Sequence, residues 1–307
     1  MWAENIAVVL IISLAFYITL PVKTTQTLYI PQGSIGSIIS HLHKKGYDLS
    51  VVDRYLLQLM GQPQQGWIYI GNTNQINRID FLHKLTSAKA VIHKVTLIPG
   101  ETGELFFENL AKKLKLNKEK LLTYYKSLSP YPEAGIYADT YYVPAGIKEK
   151  HLIQFLVRES EKRYKHLSEK LYGNYDPKQW QKILTIASII QKEAANTKEM
   201  PLVSSVIYNR LRKGMRLQMD GTLNYGKYSH IKVTPKRIRD DNSTFNTYKH
   251  KGLPNSPIGA VSLDAIKAAV KPAHTSYLYF MKNANGTHNF SKTFRSHRKN
   301  IRKAKRQ

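Results

Sequence analysis

The chain has 307 residues, 42% of them hydrophobic, which is enough for a buried core in one large or two ordinary domains and excludes wholesale disorder. It contains no cysteine, so disulfides, thiolate metal sites and cysteine nucleophiles are excluded. Lys and Arg outnumber Asp and Glu by 47 to 21; the net charge of +26 suggests an anionic partner but does not choose among nucleic acid, acidic lipid and acidic polymer.

Ile6 to Val22 (IAVVLIISLAFYITLPV) is almost unbroken apolar sequence, at the short end of the ~17–25 residues that span a bilayer. No small-x-small cleavage site follows it, so an uncleaved transmembrane helix is expected over a signal peptide. Charge does not orient this span, because Glu4 precedes it and Lys23 follows.

A small α+β segment comes next. Leu28-Tyr29-Ile30 reads as a strand, Ser34 caps a helix stopped at Gly46, and Ser50 to Met60 is a second helix. Trp67 to Ile70 reads as a returning strand. His41 and His43 stand at i, i+2 on different helix faces, a poor metal pair.

Val91 to Ile98 is a further strand. Thr102 and Asn117 each cap a helix with a lysine-rich polar face, which reads as solvated. Ser129 to Pro144 is too broken by Pro and Gly for a helix, and Lys148 to Lys170 is helical again. Asp176 as N-cap and Pro177 at the first position then open the helix around which the chain is organised. Trp180, Ile183, Ile186, Ala187, Ile190 and Ala194 recur there at helical spacing. Glu193 follows Ile186, Ile189 and Ile190 at i+7, i+4 and i+3, so its carboxyl borders the apolar face. Burial there would raise its pKa, as a general acid near neutral pH requires; a rim Glu paired with Lys192 or Lys198 is the plainer alternative.

Pro201 opens another amphipathic helix that ends at Gly214. Arg216 to Ser256 is a long polar stretch rich in Gln, Asn, Thr and Tyr, suited to hydroxyl-bearing ligands or to a plain surface loop. Ser262 caps a short helix, and Tyr277 to Phe290 reads as a hairpin turning at Asn285-Gly286. Lys292 to Arg306 is basic throughout. No Gly-rich phosphate loop, HExxH or GxSxG is present. A glycoside hydrolase would want a second carboxylate, for which Asp220 and Glu133 are the candidates.

The run Ala187-Ser188-Ile189-Ile190-Gln191-Lys192-Glu193, followed by Val206-Ile207-Tyr208-Asn209-Arg210-Leu211, resembles the central motif of the membrane-bound endolytic murein transglycosylases, the YceG-like family. The likeness continues through Gly214 to Asp220 and Thr222, Asn246-Thr247-Tyr248, Gly252-Leu253-Pro254, Ala268-Ala269 with Pro272-Ala273, Tyr277 to Phe280, and His288 with Phe290. Asp139-Thr140-Tyr141 and Ile98 to Glu101 fit weaker signatures. The chain departs from the family where Pro-Glu-Gly reads Pro99-Gly100-Glu101 and Gly-Leu-Pro-Pro-Gly-Pro-Ile reads Gly252 to Ile258 (GLPNSPI). It departs again where Asn-Pro-Gly reads Ala260-Val261-Ser262 and Asp-Pro-Thr reads Asp220-Gly221-Thr222. These loops are expected beside the cleft.

The resemblance implies an α+β protein in three parts: an anchor over residues 1–22, a LysM-like module over 24–95, and a mixed α/β catalytic domain over 96–307 with a basic tail. It implies a lyase without metal or cofactor that cuts the MurNAc–GlcNAc β-1,4 bond within peptidoglycan strands, leaving 1,6-anhydroMurNAc ends and terminating nascent strands. Glu193 would act as acid and then base. Gln218, Asp220, Thr222, Asn246, Tyr248 and His288 are the expected substrate-binding residues. Loop scaffolding stays open for Gln218, Asn246 and Tyr248, Asp220 suits loop organisation, and His288 suits a cleft wall better than a second base. The implied setting is the inner membrane, single-pass, with the bulk on the periplasmic side beside peptidoglycan synthases. A peptidoglycan-binding scaffold without turnover is the alternative, and a basic nucleic-acid-binding protein is a poor third.

Overall fold

A computed structural model describes residues 2–88 and 91–304, in two compact units: Met1–Lys94 with Tyr142–Ile147, and Val95–Tyr141 with Lys148–Gln307. The last residues of the basic run, 305 and 306, lie outside the described part.

The smaller unit begins with α1 (Trp2–Thr19) and β1 (Pro21–Lys23). It continues with β2 (Thr27–Ile30), α2 (Ile35–Lys44), α3 (Val51–Met60) and β3 (Gly66–Tyr69), and then β4 (Gln75–Asn77) and α4 (Arg78–Ser87). β2 and β3 are antiparallel with Leu28 opposite Ile68. Strand alternation sends Leu28, Ile30 and Ile68 into a core with Ile38, Leu42, Leu57 and Phe81, while Tyr29 and Trp67 meet on the other face at 5.8 Å. Local chemistry sets the helix starts. Ser34 Oγ accepts from the Ser37 N–H, and Ser50 with Asp53 forms a reciprocal capping box before α3. The expected strand–helix–helix–strand order is therefore present.

The expected transmembrane anchor requires correction. Among the described residues no helix is long and apolar enough to cross a membrane. α1 stops at Thr19, and the chain turns at once into β1, where Val22 pairs with Ile76 and is fully buried in the small core. The helical apolar stretch from Ile6 to Thr19 is about 21 Å long, well short of a ~30 Å hydrocarbon layer. Its last turn is also bound into the module. The Tyr17 hydroxyl donates to Asp53 Oδ2 at 2.7 Å and accepts from Arg78 Nη1 at 2.9 Å. Arg78 is in turn paired with the buried Asp53 at 2.7 Å. Pro21 and the pull of Val22 towards the core thus end a run that hydropathy alone reads as continuous.

β5 (Ile92–Thr96) and β6 (Thr140–Pro144) form a two-stranded ribbon within which the division between the units falls. The larger unit contains α5 (Gly103–Leu114), α6 (Lys118–Leu128), α7 (Glu149–Tyr172), α8 (Pro177–Glu193) and α9 (Met200–Arg212). Two 3-10 turns, Asp220–Leu223 and Gly226–Tyr228, lead to α10 (Pro235–Asp240) and α11 (Leu263–Val270). The hairpin β7 (Tyr279–Lys282) and β8 (His288–Ser291) and the terminal α12 (Phe294–Ala304) complete it.

α8 is the centre of this unit. Every residue from Ile183 to Ile190 is buried, so the helix is enclosed on all sides and not along one stripe. Val203, Val206 and Ile207 of α9, Ala265, Ile266 and Ala269 of α11, and Leu217, Ile258 and Val261 of the loops pack around it. Its two buried hydroxyls are satisfied locally: Thr185 donates to Gln181 O, while Ser188 donates to Thr185 O and accepts from the Ile258 N–H.

Candidate active site

α8 delivers Glu193 as its last helical residue, directly after the buried Ile186, Ile189 and Ile190. A loop from Leu217 to Leu223 crosses this helix end. The Gly221 N–H donates to Glu193 Oε1 at 2.6 Å. A side chain at Gly221 would not fit, since its Cβ would stand 2.8 Å from that oxygen and 2.7 Å from Lys192 Cβ. Burial pushes the Glu193 carboxyl up to about 7; the Gly221 N–H and the Arg210 charge oppose this, and the Asp220 charge adds to it. Desolvation is the leading cause, and Asp220 is close enough to contribute.

Glu193, Arg210, Gln218, Asp220, Tyr248 and His288 line one cleft of about 220 Å³, closed on the hairpin side by Phe280, Met281 and Lys282. Four of the six expected substrate-binding residues thus meet the expected acid. Tyr248 donates its hydroxyl to Asp220 Oδ1 at 2.7 Å, and burial, reinforced by Asp220, raises the Tyr248 phenol above its ordinary value. Gln218 adopts a left-handed backbone, φ 50°, a conformation uncommon outside glycine, and its N–H donates to Thr247 O at 3.1 Å.

His288 reaches the cleft wall, but its Nδ1 lies 2.7 Å from Glu199 Oε2, and its main-chain N–H donates to Glu199 Oε1 at 2.8 Å. Burial would raise the Glu199 carboxyl; the hydrogen bonds and charge of His288, with the Ala195 N–H, together hold that group below its ordinary value.

The other two expected residues do not reach the cleft. Thr222 is fully buried and donates to Met219 O at 2.7 Å, with Thr247 Oγ1 3.0 Å away. Asn246 is also fully buried and donates to Ile238 O and Asp241 O at 2.8 and 2.7 Å. Thr222 braces the loop that holds Gly221 and Asp220, whereas Asn246 ties down the chain around α10, and the donors of both are already committed to main chain.

Glu133, the other candidate for a second carboxylate, lies outside the cleft. It accepts from the Gly103 N–H at the start of α5 and from the neighbouring Ala134 N–H, and burial pushes it up to about 7 as well. A raised pKa is therefore not enough to identify the acid; access from the cleft distinguishes Glu193. A larger groove of about 890 Å³ runs along Tyr208, Asn209 and Arg212 of α9 and Ala273 to Tyr277, and its lining contains no carboxylate.

Among the four departures from the family pattern, only Asp220-Gly221-Thr222 borders the cleft, through Asp220. Pro99-Gly100-Glu101 is instead stitched to Gly259–Ala260: Gly100 N–H donates to Ala260 O and Ala260 N–H to Glu101 O, each at 2.7 Å. Two groups at the site carry no assigned role in the sequence reading. Arg210 donates from Nε to Leu278 O at 2.6 Å and from Nη1 to Leu217 O, tying the hairpin to the cleft loop. It follows Val206 and Ile207 at i+4 and i+3, a signal for an arginine on a buried helix face. The Gly221 donor leaves no such trace, because it is main chain.

The YceG-like family model matches residues 28–303. The endolytic murein transglycosylase of Bacillus subtilis is 26% identical over 307 aligned residues, covering 90% of this chain and 84% of that protein. The enzyme of the same name from Streptococcus pneumoniae is 38% identical over 104 residues, 32% of this chain and 19% of its own length. A crystal structure of a YceG-like protein from Listeria monocytogenes superposes with a TM-score of 0.59 at 26% identity, covering 89% of this chain and 97% of that one. The chain belongs to the YceG-like family.

Proposed function

We propose that this protein is a peptidoglycan lytic transglycosylase that cuts the MurNAc–GlcNAc β-1,4 bond within murein glycan strands, with Glu193 as its acid–base catalyst. The observation that carries this reading is the Glu193 carboxyl: raised to about 7 by burial, open to a cleft, and held on one oxygen by the Gly221 N–H. Oε1 accepts that bond, so the proton of the neutral form belongs on Oε2. Oε2–H protonates the glycosidic oxygen as the C1–O bond breaks. The carboxylate then takes the proton of the muramic C6 hydroxyl as that oxygen bonds to C1, closing a 1,6-anhydro ring. No water is consumed, and one carboxyl serves both steps, so a second one is not required.

Asp220 and Tyr248 would present a carboxylate and a phenol to sugar hydroxyls, with Gln218 and His288 as further cleft walls. The strand–helix–helix–strand unit would be a LysM-like glycan-holding module. Such a substrate places both units outside the cytoplasm and beside peptidoglycan synthases as strands emerge. Mass spectrometry of digested strands tests the reading: 1,6-anhydro ends are expected, and reducing ends would assign hydrolysis instead. Glu193→Gln should fold normally and lose at least about 10³-fold in activity. A variant that bound strands and still cut them would remove Glu193 from the mechanism, while a parent protein that bound without cutting would be a scaffold.

A further inference from the structure

The positive charge is unevenly distributed along the chain. Asp264 is the last acidic residue, and the 43 residues after it carry eleven Lys and Arg. Much of this charge falls on α12, which sequence alone presents only as a basic tail. Arg295, Arg298, Lys299 and Arg302 stand at i, i+3, i+4 and i+7, all exposed, and so form one stripe along the helix. A groove of about 660 Å³ runs between these four side chains and Phe294. Among the described residues, none of the four forms an ion pair with a carboxylate.

The opposite side of α12 is fixed. His297 stacks on Tyr279 at 5.2 Å and Asn300 donates to Ser291 Oγ at 2.9 Å, while Phe294 touches the Tyr279 ring at 5.9 Å yet stays 58% exposed at the edge of the groove. Ile301 and Ala304 are half-buried on this side. The helix is thus a rigid mount on β7–β8, and that hairpin also supplies Phe280, Met281, Lys282 and His288 to the Glu193 cleft. A helix that lies in a lipid surface needs a continuous free apolar face to insert; in α12 Ile301 and Ala304 are turned to the hairpin, and Phe294 alone is left exposed beside the cationic stripe. What remains is a rigid row of mostly guanidinium forks, suited to paired carboxylate oxygens.

We propose that the outward face of α12 is a docking surface for the carboxylate-bearing peptide stems of murein, engaging them while the glycan from which they hang occupies the Glu193 cleft. This rests on the murein reading of that cleft. It adds that the enzyme distinguishes stem-bearing from naked glycan through residues that take no part in bond cleavage.

The test reads binding as well as turnover, so its failure is separable from a failure of the catalytic reading. Full-length protein is titrated with purified glycan strands carrying their stems, and with the same strands stripped by an amidase, over a series of salt concentrations. Stem-bearing strands should bind about tenfold more tightly or better, with an advantage that shrinks as salt rises. The combined variant R295Q/R298Q/K299Q/R302Q should lose that advantage while binding and cutting stripped strands like the parent. A parent with no preference, or a variant that keeps it, overturns the proposal. Vesicles of anionic phosphatidylglycerol form a third arm; tighter binding to them than to stem-bearing strands, lost in the variant, would assign the surface to lipid and overturn it equally. If the variant does not fold, free acidic stem peptide is added to the parent, where it should displace stem-bearing strands only; failure to do so also overturns the proposal.

Discussion

A carboxylate at the C-terminal end of a helix meets the negative end of the helix dipole, and the burial of Ile186, Ile189 and Ile190 beneath Glu193 removes water as well. Both effects favour the protonated form, in line with a pKa near 7 against an ordinary 4.5. Between those values the folded protein keeps a proton that the unfolded chain has released, so stability falls as pH rises through that window. Glu193→Gln should therefore be more stable than the parent at pH 8, by about 3 kcal/mol, with the difference gone near pH 4. Equal melting temperatures at both pH values would remove burial as the source of the shift. Catalysis shares the sign: the rate should hold below about 7 and fall about tenfold per unit above it as the acid is lost. The isoleucine spacing made this residue legible in the sequence. Gly221 was not legible, because its contribution is an N–H and the absence of a side chain. Gly221→Ala would force a methyl group against Glu193 Oε1 and Lys192 Cβ. It should cost about 10²-fold in kcat and lower the melting temperature by a few degrees, since overpacking costs about 1–3 kcal/mol. A variant with full activity would show that the loop can retreat without consequence.

At the scale of elements, helices announced by a cap were readable: Ser34, Ser50, Asn117, Asp176 and Ser262 each stand where a helix begins and accept a main-chain N–H there. Elements whose ends depend on long-range pairing were not. Hydropathy runs straight through Leu20-Pro21-Val22, and only the partnership of β1 with β4 shows that the helix stops before them. α12 was hidden for a different reason, since its charges mask the His297, Asn300 and Ile301 spacing that fastens it to the hairpin. The cleft loop shows how support and contact differ within one polar stretch. Composition treats Asn246 and Tyr248 alike, yet Tyr248 faces Asp220 at the cleft while Asn246 ties Ile238 O and Asp241 O together in the interior. Asn246→Ala strands two buried carbonyls and should destabilise the protein by about 1–3 kcal/mol. Substrate binding per folded molecule should stay near that of the parent. A large rise in KM with unchanged melting temperature would instead place Asn246 in contact with substrate.

The whole molecule carries an excess charge of +26, and its carboxylates are too few to neutralise its 47 Lys and Arg. Several carboxylates are also committed to particular partners, such as Asp53 with Arg78 and Glu199 with His288, and Glu193 favours its neutral form. Folding therefore brings like charges together with little compensation, and self-repulsion opposes the compact state. Added salt shortens the screening length from ~30 Å at 0.01 M to about 8 Å at 0.15 M, which weakens repulsion across the surface more than attraction within a short buried pair. The melting temperature should rise by a few degrees between those salt concentrations, because about 1 kcal/mol of relief shifts a protein of this size by roughly 2–4 °C. Replacing the four outward cations of α12 with glutamine should reproduce part of that rise at low salt, since the stripe lies in the segment that has no acid of its own. A melting temperature that falls with salt would mean that attractive surface pairs outweigh the excess, and that the charge is locally balanced in a way the sequence total conceals.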